Sequence, residues 1–386
     1  MKKTTGKIAG YFRELDRTML VMCVIMSVFS VVLLYTMNLS GISAQVSERQ
    51  WQTNALAAGI GITVALILSA ADYRAIAKMW FIYAPAALIP VLLLFTPLGL
   101  GVEGADDIGW INLGFVQFQP SELLKIAFIL SFALHLSKVG NRLNKPLNML
   151  LLCVHGAVPV LIIMKQGDDG SALVFISIFA VMLFSAGISW KYIIAAVIAV
   201  PAVLWFAWNH LMQPHQIKRI QVLWDPMMQQ DEMLGIYMQQ YLGRKAIGSG
   251  GITGLGLTGS DSYTYVPELD TDFIFSYIGM TLGLVGCILT AIMLTLICLR
   301  CLSAASASQD TLGRLICMGV FAVYFSHSVI NIGMDLGVMP VIGIPLPLIS
   351  AGGTSVVSMY IAAGLVMSVY SHNRRPENIF ASGKHH

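Results

Sequence analysis

The chain has 386 residues, of which 56% are hydrophobic and only 11% charged, with a formal net charge of +3. Soluble domains carry about 25% charged residues, so this composition excludes a soluble globular protein and describes an integral membrane one. No basic cluster interleaved with aromatics is present, which excludes nucleic acid as a partner.

The first 17 residues carry Lys2, Lys3, Lys7, Arg13 and Arg17 and lead into an apolar run too long for a signal-peptide core, so the first span is retained. Runs long enough to cross a bilayer lie at about 18–38, 53–71, 79–98, 121–138, 147–165, 171–188, 190–208, 273–299, 315–334 and 352–371. They predict an all-α integral membrane protein of about ten transmembrane helices, a single polytopic domain over residues 1–386 in contact with membrane lipids. Arg74 and Lys78, then Lys138, Arg142 and Lys145, then Lys191, then Arg300 and Arg314, and last Arg374 and Arg375 fall on alternate connections. The loop at 99–118 has Glu103, Asp106 and Asp107 and no Lys or Arg. Basic residues mark the cytoplasmic side, so both termini are expected there. The six cysteines lack zinc-type spacing and read as free thiols, the CxxC of Cys298 and Cys301 included.

Three outward segments stand out. The Gly-rich loop at 99–118 runs into Phe118-Gln119-Pro120-Ser121-Glu122, where Pro120 suits a first helical turn. The loop at about 209–272, between the seventh and eighth spans, is long enough to imply a role. It holds an amphipathic stretch near Ile236 to Ile247 and a Gly-rich run from Gly248. Gly254-Leu-Gly-Leu-Thr-Gly matches GxGxxG by letter, but it has no flanking strand and helix, so no nucleotide site is read from it. The segment at about 337–353 is apolar yet broken by Pro340, Pro345 and Pro347. Irregular backbone at membrane depth must pack in protein or line a cavity, so this is read as a re-entrant segment or a lid over an outward groove.

The chemistry-bearing residues gather on the outward ends of the spans. Gly259 to Met280 carries Asp261, Glu268, Asp270 and Asp272 and then turns directly into the eighth span. A carboxylate at that boundary is a functional candidate by default. Glu122 and Lys125 stand at i, i+3 on one helix face and read either as a structural ion pair or as a charged wall of an outward cavity. Lys165, Asp168 and Asp169 cluster after the fifth span. Asp169-Gly170 is a turn signal, whereas Asp168 is a candidate for pairing a cation or holding Mg²⁺ beside a diphosphate. Lys218, Arg219, Arg244 and Lys245 are basic on the outward face, which suits an anionic headgroup or diphosphate; the alternative is a snorkelling surface helix. His327 and Asp335 lie on or near the ninth span, His327 reading as a core residue.

Several ordered motifs then match a known family. They are Trp110-Ile111; Phe118-Gln-Pro-Ser-Glu122 with Lys125; Gln166-Gly-Asp168-Asp-Gly170; Arg219-Ile220 and Asp225-Pro226; Ala246-Ile-Gly-Ser-Gly-Gly; Pro267-Glu with Thr271-Asp-Phe-Ile-Phe275; and Asn331-Ile-Gly-Met with Pro340 to Ser350-Ala-Gly-Gly. The chain resembles the SEDS family (shape, elongation, division and sporulation), and the elongation type most. The resemblance implies polymerisation of lipid II, an undecaprenyl-diphosphate-linked disaccharide peptide, into glycan strands at the outer face of the cytoplasmic membrane. The partner it implies is a class B penicillin-binding protein. Asp272 then takes the essential carboxylate position, as the base of an inverting transfer. Glu122, Lys125, Arg219, Asp168, Gln119, Ser350 and Gly352 form the candidate substrate-binding set, with Lys125 and Arg219 toward the diphosphate and Glu122 orienting Lys125. A divalent cation is admitted, not required. The chain departs from the family pattern by lacking an Arg before Trp110, by having Asp270 where a His is common, and by having Met280-Thr281 where a Glu pair is usual. A lipid-linked oligosaccharide flippase and a non-catalytic scaffold for the penicillin-binding protein are the alternatives.

Overall fold

The computed structural model describes residues 15–42, 49–97, 99–100, 108–112, 117–258 and 262–373. The N-terminal lysines, Arg13, Glu103, Asp106, Asp107, Asp261, Arg374 and Arg375 invoked above lie outside them.

Apolar sequence becomes helix here because a helix satisfies its own backbone where no water can. The first helices are α1 (Arg17–Ser40), α2 (Gln50–Ala70), α3 (Tyr73–Lys78) and α4 (Trp80–Leu93). A small antiparallel sheet follows, with β1 (Gly99–Leu100), β2 (Trp110–Asn112) and β3 (Gln117–Phe118) in register Gly99↔Ile111 and Ile111↔Phe118. Next come α5 (Pro120–Val139), α6 (Pro146–Lys165), α7 (Asp169–Ser185) and α8 (Trp190–His210). The long loop between α8 and the next span folds into α9 (Pro214–Gln221), α10 (Pro226–Asp231) and α11 (Met238–Ser249). The chain closes with α12 (Ile274–Ser306), α13 (Thr311–Asp335) and α14 (Gly353–Asn373).

Among the described residues eight helices are long and apolar enough to cross a membrane, and the apolar helices α4 and α7 are shorter. Together they occupy the ten places where the sequence has its apolar runs. Pro120 and Pro146 open α5 and α6 from the first turn, where a missing N–H is harmless, whereas Pro85 and Pro90 interrupt the short α4. The helices α13 and α14 are the most enclosed, and α8 has no buried residue. The ends bearing the basic residues are clamped: Arg300 pairs with Asp16, the cap of α1, at 2.9 Å, and Arg74 pairs with Asp310, the cap of α13, at 2.7 Å.

The segment between α13 and α14 is irregular, and its second half is buried; Ile344, Leu346, Leu348 and Ile349 are each 2% exposed or less, whereas Val338 is exposed. Residues 344–351 therefore pack inside protein, with Pro345 and Pro347 among them.

The Gly-rich run has a structural use. In its N-terminal third α12 is broken at Gly283, which has φ 64° and ψ −160°. The loop enters the break: Leu255 and Gly256 donate backbone N–H groups to the carbonyls of Met280 and Thr281, at 3.0 Å each, and Leu284 donates to Gly251 at 2.9 Å. Backbones approach so closely that a Cβ on Gly254 would meet the Thr281 oxygen at 2.1 Å. Met280 and Thr281 are both fully buried beside this interlock.

Gly283→Ala is expected to destabilise the protein by about 2 kcal/mol or more, because it forces a positive φ on a β-carbon and places it 2.5 Å from the Gly254 nitrogen. Thermal unfolding of the detergent-solubilised protein checks this. Gly59→Ala, which meets nothing within 4 Å, should leave the midpoint unchanged or raise it.

Candidate active site

The acidic segment before α12 is folded by its own backbone and then fastened from outside. Glu268 adopts φ 55°, and its carbonyl accepts the N–H groups of Thr271 and Phe273 at 3.3 and 3.0 Å. The next carbonyls are all held by other elements. Ala351 N–H donates to Asp270 O at 2.8 Å, Ser350 Oγ donates to Thr271 O at 2.5 Å, and Asn331 Nδ2 donates to Asp272 O at 2.7 Å. Three successive carbonyls are thus pinned, and the half-exposed Asp272 side chain projects from a fixed backbone. Its Oδ2 lies against Gly343, whose φ of +66° suits glycine.

Asp270 faces elsewhere. Its Oδ2 accepts from Gln50 Nε2 of α2 at 2.9 Å. Burial pushes its carboxyl above the usual range, and Glu268 adds to that. Asp335, at the end of α13, interacts with the charge of Asp272.

Glu122 and Lys125 form the ion pair that their spacing suggests, at 2.7 Å, and both are buried, at 2% and 1% exposure. Lys125 Nζ lies 3.1 Å from His327 Nε2, while His327 Nδ1 lies 3.1 Å from Pro345 O. With the ammonium donating to Nε2, the imidazole carries its proton on Nδ1 and donates to Pro345. Ser358 Oγ donates to the other Glu122 oxygen at 2.8 Å. The chain Ser358–Glu122–Lys125–His327–Pro345 fastens the Pro-rich segment to α5, α13 and α14. In this conformation Lys125 is enclosed rather than on an open wall.

The remaining candidates form a second group. Asp168 caps α7, its Oδ1 accepting Ser171 N–H at 2.8 Å, and its Oδ2 lies 3.4 Å from Gln119 Nε2. Asp169 accepts from Gln216 Nε2 of α9 and interacts with the charge of Arg219. Gly352 N–H donates to Asn54 Oδ1 at 3.3 Å. No group of three or more His, Cys, Asp or Glu side chains that could hold a metal occurs among the described residues. The Pro-rich segment touches both groups. A Cβ on Gly170 would meet Ile342 O at 2.4 Å, and one residue on Gly343 borders Asp272.

Sequence reasoning missed Gln50 and Asn331 and passed over Asp335 as a partner. One signal was available: His327, Asn331 and Asp335 recur every four residues, a polar stripe on one face of an otherwise apolar span.

With this geometry in hand, comparison with known proteins is informative. The family model described as "Cell cycle protein", that of FtsW, RodA and SpoVE, matches residues 15–375. The peptidoglycan glycosyltransferase MrdB of Escherichia coli is 32% identical over 364 residues, 94% of this chain and 95% of that protein. The probable peptidoglycan glycosyltransferase FtsW of a Geobacter species is 30% identical over 380 residues, 95% of this chain and 99% of that one. Among solved structures, a chain from a peptidoglycan synthase complex, solved for its coordination of polymerization and crosslinking, superposes with TM-score 0.79 at 25% identity, covering 94% of this chain and 99% of that one. Rod shape determining protein RodA of Thermus thermophilus shares the fold, with TM-score 0.68 at 23% identity over 94% of this chain and 98% of that one.

Removing one partner of a buried ion pair leaves the other charge uncompensated, at a cost of about 3–5 kcal/mol. Lys125→Met is therefore expected to lower the thermal midpoint steeply. The double variant Lys125→Met/Glu122→Gln should recover most of that loss, and a cycle of unfolding measurements reads the difference.

Proposed function

This chain belongs to the family of FtsW, RodA and SpoVE, and on that premise we propose that it polymerises lipid II into glycan strands as a peptidoglycan glycosyltransferase. The reading places the reaction at the outer face of the bacterial cytoplasmic membrane, with both termini in the cytoplasm and a class B penicillin-binding protein as partner. The observation that supports Asp272 as the base is its setting: a half-exposed carboxylate on a backbone whose carbonyls at 270, 271 and 272 are all held.

The chemistry asks for one carboxylate. The acceptor hydroxyl oxygen forms a bond to the donor's anomeric carbon as the bond from that carbon to the diphosphate oxygen breaks. The electron pair leaves with the lipid diphosphate, and the hydroxyl proton passes to Asp272. Displacement from the face opposite the leaving group inverts the anomeric configuration. Glycosidases need a second carboxyl to protonate a poor leaving group; a diphosphate is already a good one, and cations suffice to stabilise it. Arg219, partly exposed on α9 near Asp169, is the cation we assign to that contact. We assign Lys125 to holding the lid through His327 and Pro345, with Glu122 orienting it. Gln119, Asp168, Ser350 and Gly352 shape the walls rather than take part in proton transfer.

A general base contributes about 10²–10⁴-fold. Asp272→Ala, purified with the cognate penicillin-binding protein and supplied with lipid II, is expected to lose at least about 100-fold of the polymerisation rate while still binding its partner. Polymer made at the wild-type rate would sink the assignment of the base.

A further inference from the structure

The helix that follows Asp272 begins without a cap of its own. The N-cap residue of α12 is Phe273, which makes no side-chain capping bond, although the first-turn N–H groups of a helix need acceptors. The Ser276 N–H reaches Phe273 O at 3.0 Å, and a second, closer acceptor arrives from another helix. Asp335, the last residue of α13 and 0% exposed, takes the Ser276 N–H at 2.7 Å and the Ser276 hydroxyl at 3.0 Å, both on Oδ2. A carboxylate at a helix N-terminus also suits the helix dipole.

Two further observations set this contact apart from ordinary packing. Asp335 Oδ1 is buried with no hydrogen-bond partner in the structure. Leaving such an acceptor unmet costs about 1–3 kcal/mol, so the carboxyl is poorly suited to its place by stability alone. One turn earlier, Asn331 donates to Asp272 O and Ile344 O, and its own Oδ1 is likewise unmet. The helix α13 therefore grips Asp272 twice, through its carbonyl and through the helix that starts two residues later.

We infer that Asp335 is a positioning residue for the proposed reaction: by capping α12 from α13 it fixes the direction in which the Asp272 carboxylate points. The inference rests on Asp272 being the base. Misplacing a reacting group by about 1 Å can cost on the order of 100-fold in rate, so a cap one helical turn from the base is well placed to act on turnover.

The experiment compares Asp335→Ala, which removes both bonds, with Asp335→Asn, whose amide oxygen can still accept them. Each is purified with the cognate penicillin-binding protein and assayed on lipid II. Asp335→Ala is expected to lower kcat about tenfold or more with KM within about twofold. Hydrogen–deuterium exchange of the peptide spanning 273–280 should rise with it. Asp335→Asn should bring both readouts back to within about threefold of wild type. Wild-type kcat or unchanged exchange in Asp335→Ala overturns the inference, as does an Asn variant as impaired as the Ala variant. Should Asp335→Ala fail to accumulate, Ser276→Ala, which removes the hydroxyl bond alone, is expected to lower kcat about threefold at constant KM; wild-type kcat there overturns it equally. The exchange readout needs no turnover, so the cap is tested separately from the identity of the base.

Discussion

An apolar segment that cannot be helical must still satisfy every backbone polar group when no water is at hand. That constraint governs residues 338–352, and much of the rest of the bundle answers it. Gln240 of α11 donates to Met339 O, Asn331 of α13 to Ile344 O, His327 to Pro345 O and Ser30 of α1 to Ile349 O. Asn54 of α2 donates to Ser30 Oγ and accepts from Gly352 N–H. The scattered polar residues of the spans are placed where this one segment needs donors and acceptors. The segment in turn supplies Ala351 N–H and Ser350 Oγ to the carbonyls at 270 and 271. Rigidity at Asp272 is thus inherited from satisfied backbone elsewhere.

The buried Glu122–Lys125 pair belongs to the same arrangement. Two charges taken out of water contribute little net stability compared with well-packed apolar side chains, yet losing one of them is expensive. Such a pair is better understood as a register device. Through His327 it fixes Pro345, and with Pro345 the position of Gly343 against Asp272. An active site built from preorganised groups needs this kind of support, because reorganisation at the moment of reaction would subtract from the rate.

The sequence made the spans legible, since ten apolar runs separated by alternating charge admit few other readings. It also pointed to Asp272, because a carboxylate at a membrane boundary is conspicuous, and to an irregular segment, because three prolines cannot sit in a span. What it did not reveal was pairing across long separations. Nothing in the local pattern ties Gln50 to Asp270 or Ser30 to Ile349, which lie hundreds of residues apart. The i, i+3 spacing of Glu122 and Lys125 told that they meet, but not that His327 closes over them from another helix. Asp270 stands two residues from Asp272, yet the chain turns through this stretch and its carboxylate reaches Gln50 of α2, while Asp335 of α13 interacts with the charge of Asp272. The Gly-rich run gave its composition without its purpose, because a broken helix is visible only once the loop is seen inside it.

Several carboxylates were candidates for chemistry, and their surroundings separate them. Asp168 caps α7, Asp169 holds Gln216, Asp270 holds Gln50, Glu122 is enclosed with Lys125, and Asp335 caps α12. Each of those bonds ties a carboxylate oxygen to a structural partner. The proposed base needs an immobile backbone and a carboxylate within reach of a substrate hydroxyl. Asp272 joins a carbonyl held by Asn331 to a partly exposed side chain beside Gly343. In the proposed reaction a diphosphate leaving group removes the need for a second acid, so one positioned carboxylate is sufficient, and the bonds to the carbonyls at 270, 271 and 272 hold the backbone that carries it.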